Sequence, residues 1–507
     1  MADLRETRLG GDNTSTNHKE DEASEEIDDQ LRRGFVSCIS MPFLLRPGDI
    51  LVSDENGAPR GRMVLDRPQP VDLDKERDQE GTSKKSTIWR VPCQSLEYFG
   101  AFYRVIEEVK IVLKTELSDD EVDIAALGVK PLKHTAHDVE ETLKLRAKMW
   151  WKLRSKQLVS YDGAVPGGTE AGQRFMIDFN TYKEHRSTNS SSYQDQCSKM
   201  DEYSPKEDQG LQPPEIYLFP TMVPGFDLRR KKWGKFTRFW HHPSHLDLQV
   251  DQIRDVVWNE KAFESLVVDE DMKKEILTLV ASQFETEKST DFIDNKVNGL
   301  TILLRGPTGT GKTLTAELVA EIARKPLYPV TWGSIGTQPE QVEKYLQSVL
   351  HLGKIWDCVV LLDDAEVFLE QRTFQDPKRD ALVSVFLRAL EYYEGILILT
   401  TNRVCTVDEA FKSRIQLTLH YELKDYQRKQ IWRNFLNGLK ETGEVNKIDF
   451  DDIEMNLDKL ARYPINGWQI RNSIKTARQL AKHKAKKMTF SDLKRGISAA
   501  QSFQVFG

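Results

Sequence analysis

The stretch Leu300-Thr301-Ile302-Leu303-Leu304, followed after Arg305 by Gly306-Pro307-Thr308-Gly309-Thr310-Gly311-Lys312-Thr313, decides the fold. The first five residues form a short apolar run, which predicts a buried strand. The next eight fit G-x-x-x-x-G-K-[ST], a phosphate-cradling loop. Its glycines allow positive φ and bring backbone N–H groups against phosphate oxygens. Lys312 has the reach for the β- and γ-phosphates, and the Thr313 hydroxyl suits Mg²⁺. Leu314 to Ala323 reads as the helix that follows, its positive dipole end aimed at the same phosphates. Gly306 to Leu314 are therefore the candidate nucleotide-binding residues.

A phosphate loop needs a second metal ligand and a group that organises the attacking water. Cys358-Val359-Val360-Leu361-Leu362-Asp363-Asp364 supplies both, as an apolar run ending in two carboxylates. Asp363 is the candidate Mg²⁺ partner of Thr313, and Asp364 the candidate water-positioning carboxylate. Ile396-Leu397-Ile398-Leu399-Thr400-Thr401-Asn402-Arg403 is a further buried strand, ending at Asn402, a candidate γ-phosphate or water contact. Arg414, in Asp408-Glu409-Ala410-Phe411-Lys412-Ser413-Arg414-Ile415, is a candidate arginine finger, its planar donors suited to phosphoryl charge.

Composition narrows the setting. The 507 residues are 39% hydrophobic and 30% charged, with a net charge of -7. That balance gives no electrostatic argument for nucleic acid or an acidic membrane. The five cysteines are scattered without a C-x-x-C pair, so neither zinc nor a disulfide framework is expected. No apolar run approaches a membrane span, and the acidic N-terminus lacks signal-peptide character, so cytosol or nucleus is expected.

Along the chain, residues 1–34 read as a disordered acidic segment. Residues 35–212 read as a mixed α+β region, with short strands about the Asn56-Gly57 turn and a helix near 137–156. In that helix Leu143, Leu145, Met149 and Trp150 are the expected apolar positions; 96–117 fits strand or helix equally. Phe175 to Phe179 reads as a strand. Residues 213–261 read as a connector holding Arg229-Arg230-Lys231-Lys232-Trp233 and His241, His242 and His245. The basic run is expected to be a solvated turn with Trp233 anchoring the connector on a neighbouring domain, and the histidines fit no standard zinc set. Residues 262–420 alternate helix and strand, and 421–507 are helical, with segments 426–439, 453–461, 465–486 and 489–502. The expected core is a parallel sheet flanked by helices with a C-terminal helical lid.

The order of these motifs resembles the AAA+ ATPases over about residues 262–502. Val223-Pro224-Gly225-Phe226, Lys232-Trp233-Gly234, Trp258-Asn259, Ala262-Phe263 and Leu362 to Glu370 are similar to a group of fungal AAA-type ATPases. Those proteins carry an extra N-terminal region of unassigned role. The resemblance implies ATP and Mg²⁺ as cofactors, a homo-oligomeric ring, commonly a hexamer, and Arg414 acting on a neighbour's nucleotide. It also implies that Ile465 to Asn472 packs near the adenine, with Gly467 allowing close approach and Arg471 a loose second sensor.

Three departures qualify the resemblance. Asp364 stands where Glu is usual, which predicts slow turnover, and Glu366 is a possible substitute. Gly333-Ser334-Ile335-Gly336-Thr337 lacks the aromatic of a protein-threading pore loop. Arg414 stands without a second arginine. The expected function is an ATPase that remodels a protein partner. Two alternatives remain: a nucleotide-gated scaffold with little hydrolysis, and a nucleic-acid-associated factor. The second draws on Arg229 to Lys232 and on Arg478, Lys482, Lys484, Lys486 and Lys487, a stretch that reads better as a solvated helix face.

Overall fold

The computed structural model describes residues 25–71, 86–98, 101–114, 120–163, 172–187, 201–203, 212–233, 247–286, 299–331, 338–369, 377–391, 393–402, 408–441 and 444–502. The chain divides into two units, with the boundary between Val256 and Val257.

The N-terminal unit is built on antiparallel sheets. Ile50–Glu55 and Ala58–Val64 form a hairpin through Asn56 and Gly57, at φ 58° and 79°. Both central residues thus take the positive φ that a right-twisted two-residue hairpin requires. Ser86–Tyr98 pairs with Phe102–Lys114 along its whole length, from Ser86 opposite Lys114 to Tyr98 opposite Phe102. This resolves the ambiguous stretch 96–117 in favour of strand over Phe102–Lys114. Val109, Ile111 and Leu113 supply its buried face.

The helix His137–Leu153 buries Leu143, Arg146, Ala147, Trp150 and Leu153. The expected core position Leu145 is instead 61% exposed. Two residues past Leu143 is roughly 200° around a helix, so Leu145 lands on the far side. Arg146 takes the inward place and pays for its burial by a two-pronged ion pair with Asp251, Nε to Oδ1 at 2.8 Å and Nη2 to Oδ2. A strand runs over Gln173–Ile177, and Asp178 then ends it. The Asp178 carboxylate accepts from the N–H groups of Asn180 and Thr181, starting the helix Phe179–Ser187.

Two boundaries differ from the sequence reading. Within 1–34, residues 25–32 are helical, with Arg33 just beyond bonded to Glu121 at 3.0 Å; residues 1–24 lie outside the described set. The expected connector 213–261 belongs up to residue 256 to the N-terminal unit. Phe226–Asp227 pairs with Phe175–Met176, and Ile253–Asp255 pairs with Val159–Tyr161. The reason is burial: Val223, Phe226, Leu248, Val250 and Ile253 are all core residues. Trp233 packs against Tyr182 and Phe226 of this same unit, each ring 5.2 Å away. The N–H groups of Arg229 and Arg230 donate to Asp227, closing a turn. His241, His242 and His245 lie outside the described residues.

The C-terminal unit is a parallel sheet flanked by helices, followed by a helical lid. Its strands are β1 (Leu300–Arg305), β2 (Leu327–Thr331), β3 (Val359–Asp363), β4 (Ile396–Thr401) and β5 (Leu417–His420), in the order β2-β3-β4-β1-β5. Every pairing is parallel. Strands covered on both faces read as continuous apolar runs, as β1, β3 and β4 do. Arg305 lies opposite Thr401 in one pairing and Thr331 opposite Asp363 in another, so the carboxyl ends of β1, β3 and β4 meet at one edge. The lid contains helices Asp425–Glu441, Phe450–Met455, Leu457–Ala461, Gly467–His483 and Phe490–Ser502. They enclose a core of their own about Trp432, Leu457, Ile470, Ile474, Leu493 and Ile497. The expected helix 453–461 is two helices, because the chain turns at Asn456, φ -106° and ψ 10°.

Candidate functional site

At the end of β1 the chain enters backbone space that suits glycine. Gly306, Gly309 and Gly311 have φ of 148°, 73° and 105°. A Cβ on Gly306 would stand 2.4 Å from the Tyr421 carbonyl oxygen, so a side chain is excluded there by space as well as by φ. The helix Lys312–Ala323 then opens directly from Gly311. Its first N–H groups have no partner within the helix. The Thr310 hydroxyl donates to the Pro307 carbonyl at 2.8 Å and braces the loop from inside.

Lys312 is buried, and its Nζ donates to the carbonyls of Gly306 and Pro307 and to Asn402 Oδ1, each at 2.8 Å. Burial pushes the ammonium below its ordinary pKa, while the carboxylates of Asp363, Asp364 and Glu366 pull it back up. Thr313 Oγ1 lies 3.3 Å and 3.5 Å from the two oxygens of Asp363. A hydroxyl and a carboxylate side by side are hard oxygen donors of the kind Mg²⁺ takes.

Thr400, on β4, organises the acidic turn. It is fully buried; its hydroxyl donates to Asp363 Oδ1 at 2.5 Å and accepts from the Asp364 N–H at 3.1 Å. Its carbonyl accepts from the Ala365 N–H at 2.8 Å. Asp364 itself has φ 57°, unusual for a residue with a side chain. Its carboxyl is pushed above the ordinary carboxylate range by burial and by the charges of Asp363 and Glu366, with Lys312 and Asn402 opposing.

Asn402 joins these groups. Its Oδ1 accepts from Lys312, its Nδ2 donates to Asp364 Oδ1 at 2.5 Å, and its backbone N–H donates to Glu366 Oε1 at 3.1 Å. Lys312, Thr313, Asp363, Asp364 and Asn402 therefore form one connected cluster. Thr400 was not anticipated, since a threonine inside an apolar run carries no motif. The sequence offers Glu366 only as a possible substitute for Asp364; the turn places its carboxylate against the backbone N–H of Asn402.

The lid meets the loop directly. The Gly467 N–H donates to the Gly309 carbonyl at 3.0 Å, and a Cβ on Gly467 would lie only 3.3 Å from that oxygen. Thr310 also lines a cavity of about 210 Å³ with Val268, Met272, His420, Tyr421 and Gln427, none of them singled out by the sequence. The Tyr421 hydroxyl shares a 2.6 Å hydrogen bond with Thr315, and burial holds its pKa up at about 12. A larger cavity of about 400 Å³, lined by Glu343, His351, Arg388 and Tyr393 among others, includes none of the cluster residues.

Among the described residues, the remaining candidates add no side chain to the cluster. Pro307 and Thr308 are exposed within the loop, and Leu314 is exposed on the helix that follows it. Arg414 donates to the Ala410 carbonyl at 2.8 Å and to Glu391 at 3.4 Å, not to the cluster. Arg471 is exposed on the helix Gly467–His483. Gly333 to Thr337 and Trp332 lie outside the described residues. Among the described residues, no helix is long and apolar enough to cross a membrane.

Residues 302–423 match the model of the ATPase family associated with various cellular activities (AAA). Residues 423–504 match the fungal AAA+ ATPase lid domain. Two crystal structures of the FIGL-1 AAA domain, one in complex with ADP, are 19% identical to the chain. Each covers 48% of this chain, and 86% or 85% of its own, at a TM-score of 0.38. No curated protein matches the chain.

Proposed function

We propose that the chain binds Mg-ATP and hydrolyses it to remodel a protein partner, a reading supported by the match of residues 302–423 to the AAA ATPase family model and of residues 423–504 to the fungal AAA+ lid. The observation that carries this reading is the cluster itself. Lys312, Asn402 and Asp364 are linked at 2.8 Å and 2.5 Å, beside the Thr313–Asp363 pair, at one edge of a parallel sheet. Ligands of open α/β sheets bind outside the carboxyl ends of the strands.

The roles follow from the chemistry of each group. The loop Gly306 to Gly311 and the helix end at Lys312 supply N–H donors to phosphate oxygens, and the Lys312 ammonium supplies positive charge. Leu314 and Gly467 flank the nucleotide. Thr313 and Asp363 hold Mg²⁺, which when bound neutralises charge on the phosphates. Asp364 accepts the proton of the attacking water or orients it, with Asn402 fixing the direction of that carboxylate. Arg414 acts across a subunit interface in a ring, in line with its bonds to Ala410 and Glu391 rather than to its own chain's cluster.

One observation favours a slower, gate-like use of the same site. Asp364 is a methylene shorter than glutamate, and its Oδ1 is already bonded to Asn402 at 2.5 Å. A misplacement of about 1 Å costs on the order of 100-fold in rate. The test is steady-state phosphate release from the purified chain with Mg-ATP, beside Lys312→Ala and Asp364→Glu. Release abolished by Lys312→Ala and raised by Asp364→Glu is the expected result. Release no higher than the Lys312→Ala background, with ATP still bound, overturns hydrolysis and leaves the nucleotide-gated scaffold.

A further inference from the structure

We propose that Glu366 is a positioning residue of this site, holding Asn402 so that its amide meets the short carboxylate of Asp364; the proposal rests on the ATPase reading above. Asn402 follows the last residue of β4, where the strand ladder no longer fixes the backbone. Its N–H donates to Glu366 Oε1 at 3.1 Å, while its side chain spans from Lys312 to Asp364. The backbone is held by one carboxylate and the side chain by another, and both come from the same turn.

That turn explains how Glu366 arrives there. Asp364 takes φ 57°, which reverses the chain immediately after β3. The Ala365 N–H then anchors to the Thr400 carbonyl at 2.8 Å. Glu366, the first residue of the short helix Glu366–Leu369, is thereby carried back to the end of β4. The longer side chain reaches the backbone of Asn402, and the shorter one meets its amide. The reach lost at Asp364 is met by bringing Asn402 to it, and Glu366 fixes Asn402 in that place. Glu366 touches no reacting atom in this scheme; it acts through Asn402.

The test compares Glu366→Ala with Glu366→Gln in the full chain. The side-chain carbonyl of glutamine still accepts from the Asn402 N–H; alanine does not. Three quantities are measured: kcat and KM for Mg-ATP, ADP affinity, and amide hydrogen exchange in a peptide spanning 396–402. In Glu366→Ala, kcat is expected to fall about tenfold while KM and ADP affinity stay within about twofold, because alignment and not binding is lost. Exchange in the peptide is expected to quicken. In Glu366→Gln, kcat stays within about threefold and exchange is unchanged. The proposal is overturned if Glu366→Ala turns over at the wild-type rate, if glutamine is as damaging as alanine, or if ADP affinity falls in step with kcat. A wild-type chain that releases no phosphate defeats the ATPase reading by itself. In that case exchange decides: no quickening in Glu366→Ala overturns the positioning of Asn402.

Discussion

Asn466 of the lid donates through Nδ2 to the carbonyl oxygen of Thr308, 3.1 Å away in the phosphate loop. The same side chain is the N-cap of the helix Gly467–His483, accepting from the Gln469 N–H at 2.8 Å within a capping box. Asn466→Ala removes both contacts. Loss of the cap costs about 1 kcal/mol of lid stability. The expected outcome is a modestly lower thermal midpoint together with weaker ADP binding, read by calorimetry. A lower midpoint with wild-type ADP affinity would show that the bond to Thr308 does not shape the loop.

Gly306→Ala tests the loop itself. The new Cβ would meet the Tyr421 carbonyl oxygen at 2.4 Å, a backbone atom that has no rotamer by which to withdraw. At φ 148° the substitution is also strained. Strain of this kind costs about 1–3 kcal/mol before any steric term. Loss of nucleotide binding accompanied by a lower urea midpoint is expected. Wild-type binding would mean that the loop moves freely away from Tyr421.

Thr400→Val keeps the shape and removes the hydroxyl between Asp363 and the Asp364 N–H. Leaving the Asp364 N–H without a partner costs about 1–3 kcal/mol, while Asp363 keeps the longer contact with Thr313. The Mg²⁺ concentration giving half-maximal hydrolysis should rise, because Asp363 loses the donor that orients it. An unchanged Mg²⁺ dependence would place the hydroxyl's role in folding alone.

In the lid, Asp492 is buried. Burial alone would raise its pKa, yet hydrogen bonds from Thr489 and the pairing with Lys486 outweigh it and hold the carboxyl below the ordinary range. A carboxyl whose pKa is lower folded than unfolded stabilises above the unfolded value, and loses that contribution as pH falls through the folded one. The thermal midpoint of Asp492→Asn should therefore lie below wild type near neutrality, with the gap closing as pH drops below about 4. A gap that stays constant with pH would sink this account.

Legibility in the sequence followed the solvent exposure of each element. β1, β3 and β4 are covered on both faces and could be read as unbroken apolar runs, so the loop and carboxylates at their ends could be placed. Phe102–Lys114 was ambiguous because Ile106 and Val112, 72% and 45% exposed, put apolar residues on its outer face and blur the alternation. Arg146 was hidden because a charged residue enters a core only with a distant partner, here Asp251. The strands within 213–256 are hidden for a related reason: they have two or three residues each, too short for a period, and only tertiary pairing reveals them. Glu366 reaches Asn402 through a residue at positive φ, a conformation that an aspartate does not announce.

The helix Gly467–His483 begins where its first N–H grips Gly309, and it extends 17 residues from that point. At 1.5 Å per residue it is a rod of roughly 25 Å pivoted on the phosphate loop. A tilt of about 10° at the pivot swings its far end by roughly 4 Å, given that length. Because the lid's helices share one core, the whole bundle travels with the rod. A displacement at Gly309 too small to break a single hydrogen bond is thereby geared up to the scale of a side chain at His483.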